Sequence, residues 1–269
     1  MKIWYQSFTR QSLYPRYGQA LRRLVDALRE PGTTVDVHAL EKTGGLATQH
    51  HYLEHLHLAE VLENVERAVE QGYDAFAIGH FTDSGLQEAR EIAPIPVLGL
   101  GETSMHLACM MGRRFALVGL GPKSLDSVAQ RVHAYGLDYR LAGTAAMAFD
   151  NPVALEAGFS DPAARDGIVR AFHEAAGAAV RAGAEVVIPA GGVAMAVLGA
   201  AGVHLTADGA TVLNGIAALV RMCESAVRMD RWMGGHFTSK RLSYAPPSPA
   251  EMDSVRQFYG DGVYRSARR

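Results

Sequence analysis

Short apolar runs separated by longer amphipathic stretches set the rhythm of this chain. The runs at residues 2–8 (KIWYQSF), 34–40 (TVDVHAL), 75–78 (AFAI) and 96–101 (PVLGLG) each stop at a polar or glycine-rich break. Runs of this length bounded by turn residues read as strands; AFAI, apolar throughout, reads as one buried on both faces, as in a parallel sheet. The stretches between them read as helices. Residues 18–30 place Leu21, Leu24, Val25 and Leu28 on one face and stop at Pro31-Gly32. A long helix follows Thr43-Gly44-Gly45 and runs to about Gln71, and shorter ones cover residues 84–92 and 105–111.

The same order returns in the second half. Its runs are 114–120 (RFALVGL), 137–143 (LDYRLAG), Val186-Val187-Ile188 within AEVVIPAGGVAMAVL, and 211–215 (TVLNG). Residues 151–163 read as a polar loop, Asp161-Pro162 opens a helix reaching Ala182, and residues 211–228 close the half with a strand and a helix. Aligning the two third runs sets Gly191 opposite His80, an offset of 111 residues, and the other pairs fall at similar offsets. Four runs recurring in one order mark an internal repeat, two copies of one βα set facing each other. The tail from Trp232 has no counterpart. It is free to cover a sheet, complete a dimer, or reach the cleft with His236 and Lys240.

Composition narrows the function. The 269 residues are 48% hydrophobic and 20% charged, with a net charge of −2 and scattered basic residues, which disfavours a nucleic-acid surface. No apolar run approaches the ~20 residues that span a membrane. The chain opens directly on a strand, so no signal peptide is expected. Cys109 and Cys223 lie in helical stretches and read as core packing, consistent with a reduced, cytoplasmic protein.

Chemistry concentrates after the third strand. His80 follows Gly79 at a strand's carboxyl end, where open parallel sheets bind ligands, and Thr82, Asp83, Ser84 and Gly85 form a polar turn behind it. The competing reading is a turn histidine bonded to a backbone carbonyl. Gln6 and Ser7, with Thr9 and Arg10, form a polar loop able to face a ligand, and Tyr14 follows it. His50, His51, Glu54, His55 and His57 cluster at a helix start. His51 and His55 are spaced to share a metal, but the Glu stands beside the second His and no third ligand is implied, so no metal is expected. Glu102, Thr103 and Ser104 offer either an anion-binding helix start or an ordinary cap. The GxG of Gly119 and Gly121 lacks a third glycine and an acidic partner, which excludes a dinucleotide fingerprint.

The runs AIGHFTDSGL, IPVLGLGETSMHLA and VVIPAGGVAM resemble the aspartate/glutamate/hydantoin racemase superfamily, its hydantoin and allantoin branch in particular, over most of residues 1–230. The resemblance implies an α/β protein of two similar domains, each a four-stranded parallel sheet flanked by helices, related by a pseudo-two-fold axis with strand order 2-1-3-4. The expected domains are residues 1–104 with about 216–269, and 105–215. It also implies no cofactor, a small-molecule substrate, a homo-oligomer, and two cysteines flanking the substrate's α-carbon. Here the sequence departs: His80 and Gly191 stand at the cysteine positions, and Phe81 and Gly192 replace the residues that hold an amino-acid carboxylate. Asp83 and Gly85 match the hydantoin-type pattern. The expectation is a cofactor-independent isomerase or lyase acting on a small carbonyl or carboxylate compound, with His80 as the acid/base group. The alternatives are a hydrolase of a cyclic amide or lactone, and a non-catalytic ligand-binding relative. The residues expected around the substrate are Gln6, Ser7, Tyr14, His50, His51, Phe81, Thr82, Asp83, Ser84, Ala190, Gly191, Gly192 and Asn214. The turn at Ala190-Gly191-Gly192 is expected to offer backbone N–H groups to an oxyanion.

Overall fold

The structure, a computed structural model, describes residues 1–44, 49–149 and 152–268; Gly45 and Asn151, at the edges of two expected loops, lie outside them. Two four-stranded parallel sheets form the molecule. The first comprises β1 (Lys2–Gln6), β2 (Thr34–His38), β3 (Ala75–Ile78) and β4 (Val97–Gly99), in the order β2-β1-β3-β4. The second comprises β5 (Phe115–Leu120), β6 (Leu141–Met147), β7 (Val186–Pro189) and β8 (Thr211–Val212), in the order β6-β5-β7-β8. Every strand pair in both sheets is parallel. Corresponding strands occupy corresponding places, so the repeat read from sequence is a repeat of architecture. All side chains of β3 and β7 are buried, which accounts for their unbroken apolar composition.

Helices connect the strands: α1 (Pro15–Leu28), α2 (His51–Glu70), α3 (Leu86–Ile92), α4 (Leu100–Met111), α5 (Gly121–Ala134), α6 (Pro162–Arg181), α7 (Gly192–Ala200), α8 (Gly215–Trp232) and α9 (Pro249–Tyr259). Pro15 opens α1 at the first helical position, where its missing N–H is harmless. Asp161 caps α6 by accepting from Ala163 N–H. Although α8 follows the last strand of the second sheet, it packs against α1, α4, β3 and β4. A continuous apolar cluster therefore runs from Ile3 and Tyr5 through Leu219 and Cys223 to Val187 and Phe172.

Several expectations shift. The strand read at 137–143 begins instead at Leu141: Gly136 takes φ 69°, a 3-10 turn fills Asp138–Arg140, and the Arg140 guanidinium is spent on the carbonyls of Cys109, Gly112 and Arg113. Helix α3 starts at Leu86, after a turn that needs φ 53° at Asp83 and 83° at Gly85. Helix α4 starts at Leu100, ahead of the Glu102–Ser104 start read from sequence, and the N–H groups of Gly101 and Glu102 are taken by Asp83 at 2.8 and 2.6 Å rather than offered to a foreign anion. The tail neither completes the cleft nor brings His236 to it. Lys240 Nζ donates to the carbonyls of Arg90, Glu91 and Ala93 at the end of α3, while the N–H groups of Arg265 and Ser266 donate to Glu66 on α2 at 3.0 and 2.6 Å. The tail thus straps the outside of the first sheet's helices.

Gly101 lets α4 start directly under the turn after β3: a Cβ there would collide with the Phe81 carbonyl oxygen and lie 2.8 Å from Asp83. Gly101→Ala is accordingly expected to destabilise the fold by about 2 kcal/mol or more, read as a lowered urea midpoint, because fixed backbone cannot yield.

Candidate active site

The carboxyl ends of β1, β3, β5 and β7 converge on one cavity of about 110 Å³, enough for a compact small molecule. Ser7, Phe8 and Thr9 enter from the end of β1, and Gly79 to Thr82 from the end of β3. Tyr14 and Tyr17 enter from the start of α1, and Ala190 to Ala194 from the turn between β7 and α7. Gly79 is required by close approach, since a Cβ there would lie 2.8 Å from the Gln6 carbonyl oxygen.

His80 sits at the centre. Its ring stacks on Phe8, centroids 4.5 Å apart and planes 14° from parallel. Its Nδ1 lies 2.7 Å from Thr82 Oγ1, 3.4 Å from Ser84 Oγ and 3.9 Å from Glu54 Oε1. Both hydroxyls donate to that same Glu54 oxygen. No hydrogen bond reaches Nε2 from the described residues. Burial pushes the imidazole down to about 4; the Glu54 charge acts against that shift, and His57 and Arg131 add to it. Burial also opposes ionisation of Glu54, yet the His80 charge and the Ser84 and Thr82 hydroxyls outweigh it and hold the carboxyl below its ordinary value. At neutral pH the pair is therefore a neutral imidazole and a carboxylate.

At the position across the repeat from His80, Gly191 presents no side chain. Gly191 has an extended φ of 172°, and a Cβ built on it would meet nothing within 4 Å. The expected backbone donors lie one step along. Ala190 N–H goes to Val118 O at 2.7 Å and Gly191 N–H to Pro189 O at 3.0 Å. That leaves the first N–H groups of α7, on Gly192, Val193 and Ala194, without an intrahelical acceptor at the cavity wall. The Tyr17 hydroxyl stands 2.8 Å from where a Gly192 Cβ would be. Burial raises its pKa, the Ser7 hydroxyl notwithstanding, so it stays a neutral phenol; Tyr14 is pushed up to about 12 by burial.

Of the residues expected from sequence, Ser7, Tyr14, His80, Phe81, Thr82, Ala190, Gly191 and Gly192 line the cavity. The others do not. Gln6 is buried behind it, accepting from Trp4 and Asn64 and donating to the Ser7 carbonyl. His50 is exposed at the start of α2, and exposed His51 faces the far oxygen of Glu54 at 3.7 Å. The Asp83 carboxylate turns to α4, Ser84 turns to Glu54, and Asn214 caps α8 while donating to Met195 O. Glu54 entered the sequence reading only as a neighbour of two histidines; separated from Thr82 by 28 residues, its contact with the turn had no local signal. Phe8, Tyr17, Ser124, Ser127 and Met147 were missed for the same reason. Among the described residues, no Lys, Arg, Asp or Glu lines the cavity, and no group of three or more His, Cys, Asp or Glu is placed to hold a metal.

Two four-stranded parallel sheets, with strand ends of both lining one cavity, define an α/β protein built from a repeated unit. The chain belongs to the Asp/Glu/Hydantoin racemase family, which residues 16–223 match, an enzyme family of the isomerase kind. It is 29% identical over 225 residues to the hydantoin racemase of Pseudomonas sp. (strain NS671), covering 81% of this chain and 82% of that protein. Against the hydantoin racemase of Rhizobium meliloti it is 31% identical over 194 residues, 70% of this chain and 72% of the other. Among solved structures, the allantoin racemase of Klebsiella pneumoniae superposes with a TM-score of 0.71 at 28% identity, covering 92% of this chain and 94% of that one.

Cys109 is half-buried on α4 and Cys223 fully buried on α8; neither lines the cavity, and burial pushes both thiols up, away from nucleophilic use. Replacing both with alanine is expected to leave kcat unchanged and to cost about 1 kcal/mol of stability per site at most, checked by turnover and urea denaturation in parallel.

Proposed function

We propose that this protein is a cofactor-independent isomerase or lyase that moves a proton at one face of a small, uncharged carbonyl compound, with His80 as the acid/base group. The observation that carries the reading is the neutral His80 ring, its Nε2 without a partner among the described residues, in a cavity where a Cβ at Gly191 would meet only space. Hydantoin and allantoin racemases among the relatives support a ring of that uncharged type, in which a carbonyl acidifies the neighbouring C–H. The absence of a cation among the described lining residues argues against a carboxylate as the group recognised.

In the proposed step, Nε2 takes the proton from the carbon next to the carbonyl. The C–H electron pair moves into an enolate, whose oxygen meets the N–H groups at the start of α7, or the Tyr17 phenol. The imidazolium then returns the proton to carbon or to a conjugated atom. Two-thiol racemisation is not part of the reading, since a histidine and a glycine hold the two family positions. Tyr14 reaches the cavity but, with its phenol pushed up to about 12, is a poor second base.

Thermal-shift screening of uncharged cyclic amides and related carbonyl compounds, followed by NMR of each hit in deuterated water, tests the proposal. Wild-type protein is expected to exchange one carbon-bound proton with solvent. His80→Ala should cut that exchange by about 10²-fold or more without changing the circular dichroism spectrum. Near-full exchange in His80→Ala would sink the mechanism.

The pH profile follows from the same group. A base is lost when protonated, so kcat/KM falls as pH drops through its pKa. With His80 pushed down to about 4, kcat/KM should hold level from pH 8 to 5.5. An ordinary histidine, titrating near ~6.5, would already have cost about tenfold at the lower pH.

A further inference from the structure

We infer that Glu54 is the positioning residue of this site: through the Thr82 hydroxyl it holds His80 in the Nδ1–H tautomer, leaving Nε2 unprotonated toward the cavity. The inference is a count of protons. Glu54 Oε1 touches two hydroxyls, those of Thr82 and Ser84, at hydrogen-bonding distance. A carboxylate has no proton to give, so each contact must use the hydroxyl's own. Thr82 has a single O–H. Once it points at Glu54, its oxygen can only accept from His80 Nδ1, 2.7 Å away. Ser84 cannot replace it as a donor, because its proton is committed to the same carboxylate and its oxygen is 3.4 Å from Nδ1.

The surroundings agree. Glu54 is 11% exposed on the first turn of α2, where a negative charge is favoured, and it shares with Arg131 of α5 a shallow surface pocket outside the cavity. Direct pairing of Glu54 with His80 would do the same job less well: their closest approach, 3.9 Å, is too long for a hydrogen bond. The His57 ring, one turn further along α2, is buried with neither nitrogen bonded and so does not compete for Nδ1. The hydroxyl link keeps the carboxylate's field on the imidazole while fixing which nitrogen is free. His51, on the other oxygen of Glu54, is exposed and is not needed for this chain.

The catalytic consequence rests on the function proposed above, but the tautomer does not, and it is read without substrate. The intact protein, labelled with 15N-histidine, is measured at pH 7 by two-bond 1H–15N correlation, with His80→Asn used to assign the ring. The expected result is a protonated Nδ1 and a bare Nε2 in the wild type. In Glu54→Leu the Thr82 proton is released to point at Nδ1, and the ring should switch to Nε2–H; in Glu54→Asp the Nδ1–H form should persist at least in part. An Nε2–H ring in the wild type overturns the inference, as does an unchanged Nδ1–H ring in folded Glu54→Leu. If Glu54→Leu does not fold, Thr82→Val replaces it by removing the linking hydroxyl, and an undiminished Nδ1–H fraction there is likewise fatal. Once a substrate is in hand, Glu54→Leu should lower kcat by about 10²-fold or more with KM little changed, the signature of a wrong tautomer. Should His80→Ala retain activity while the tautomer behaves as expected, the proposed function fails and the hydrogen-bond chain stands.

Discussion

The Asp83 carboxylate is the joint on which the arrangement depends. It sits in a left-handed turn, φ 53°, that few side chains other than Asp and Asn accept. One oxygen receives Gly101 N–H; the other receives Glu102 N–H and the Tyr135 hydroxyl, the last at 2.7 Å from the second half of the chain. Burial pushes this carboxyl up to about 7 while three donors pull it down. A group so placed ties the turn after β3, the start of α4 and the end of α5 into one unit. With that unit held, the backbone between Gly79 and Ser84 has little freedom, and His80 points where the strands of both sheets end.

The cavity buries most of the His80 ring and, among the described residues, is short of charge, and both properties act on the imidazole. Taking His80 out of water favours its neutral form, the form able to accept a proton. The same burial makes it a weaker base, and the ionised Glu54 behind the turn offsets part of that loss. Among the described residues no cation lines the cavity, and in the proposed reading recognition falls to hydroxyls, backbone N–H groups and apolar contact with Phe8, Tyr14, Val128 and Met147. The second wall contributes room and N–H donors, while the first contributes the ring.

The two halves are equal in topology and unequal in use. Helix α8 crosses back to the first sheet, and the tail after it binds α2 and α3 through Lys240, Tyr264 and Ser266. The first half, which carries His80, Glu54 and Asp83, therefore has two extra layers of support. The second half holds its turn at Ala190-Gly191 mainly by backbone bonds to β5 and β7. A strapped first half that carries His80, Glu54 and Asp83, facing a more lightly held second half, is a physical correlate of the chemistry at one face proposed above.

How much of this was legible in the chain depends on the range of the forces involved. Apolar runs such as AFAI and VVIP, the breaks after them and their recurrence at one offset are local properties. They sufficed for a twice-repeated βα set that pairs His80 with Gly191 in sequence, while the four-stranded sheets and their strand order came with the family resemblance. The start of β6 was misread because LDYRLAG looks strand-like, and only the tie from Arg140 to three distant carbonyls decides that Asp138 to Arg140 turn instead. Asn214, Gln6 and Asp83 were read as ligand residues from their places at strand ends and turns. Which way each side chain points is set by partners far away in sequence, and those partners turned all three into scaffold. Glu54 is the converse case: nothing in its own neighbourhood marks it, and packing α2 against the turn after β3 brings it to Thr82. Sequence alone determined which strand ends carry the candidate site; only the tertiary structure decided which side chains face it, because hydrogen bonds choose direction only after the elements have packed.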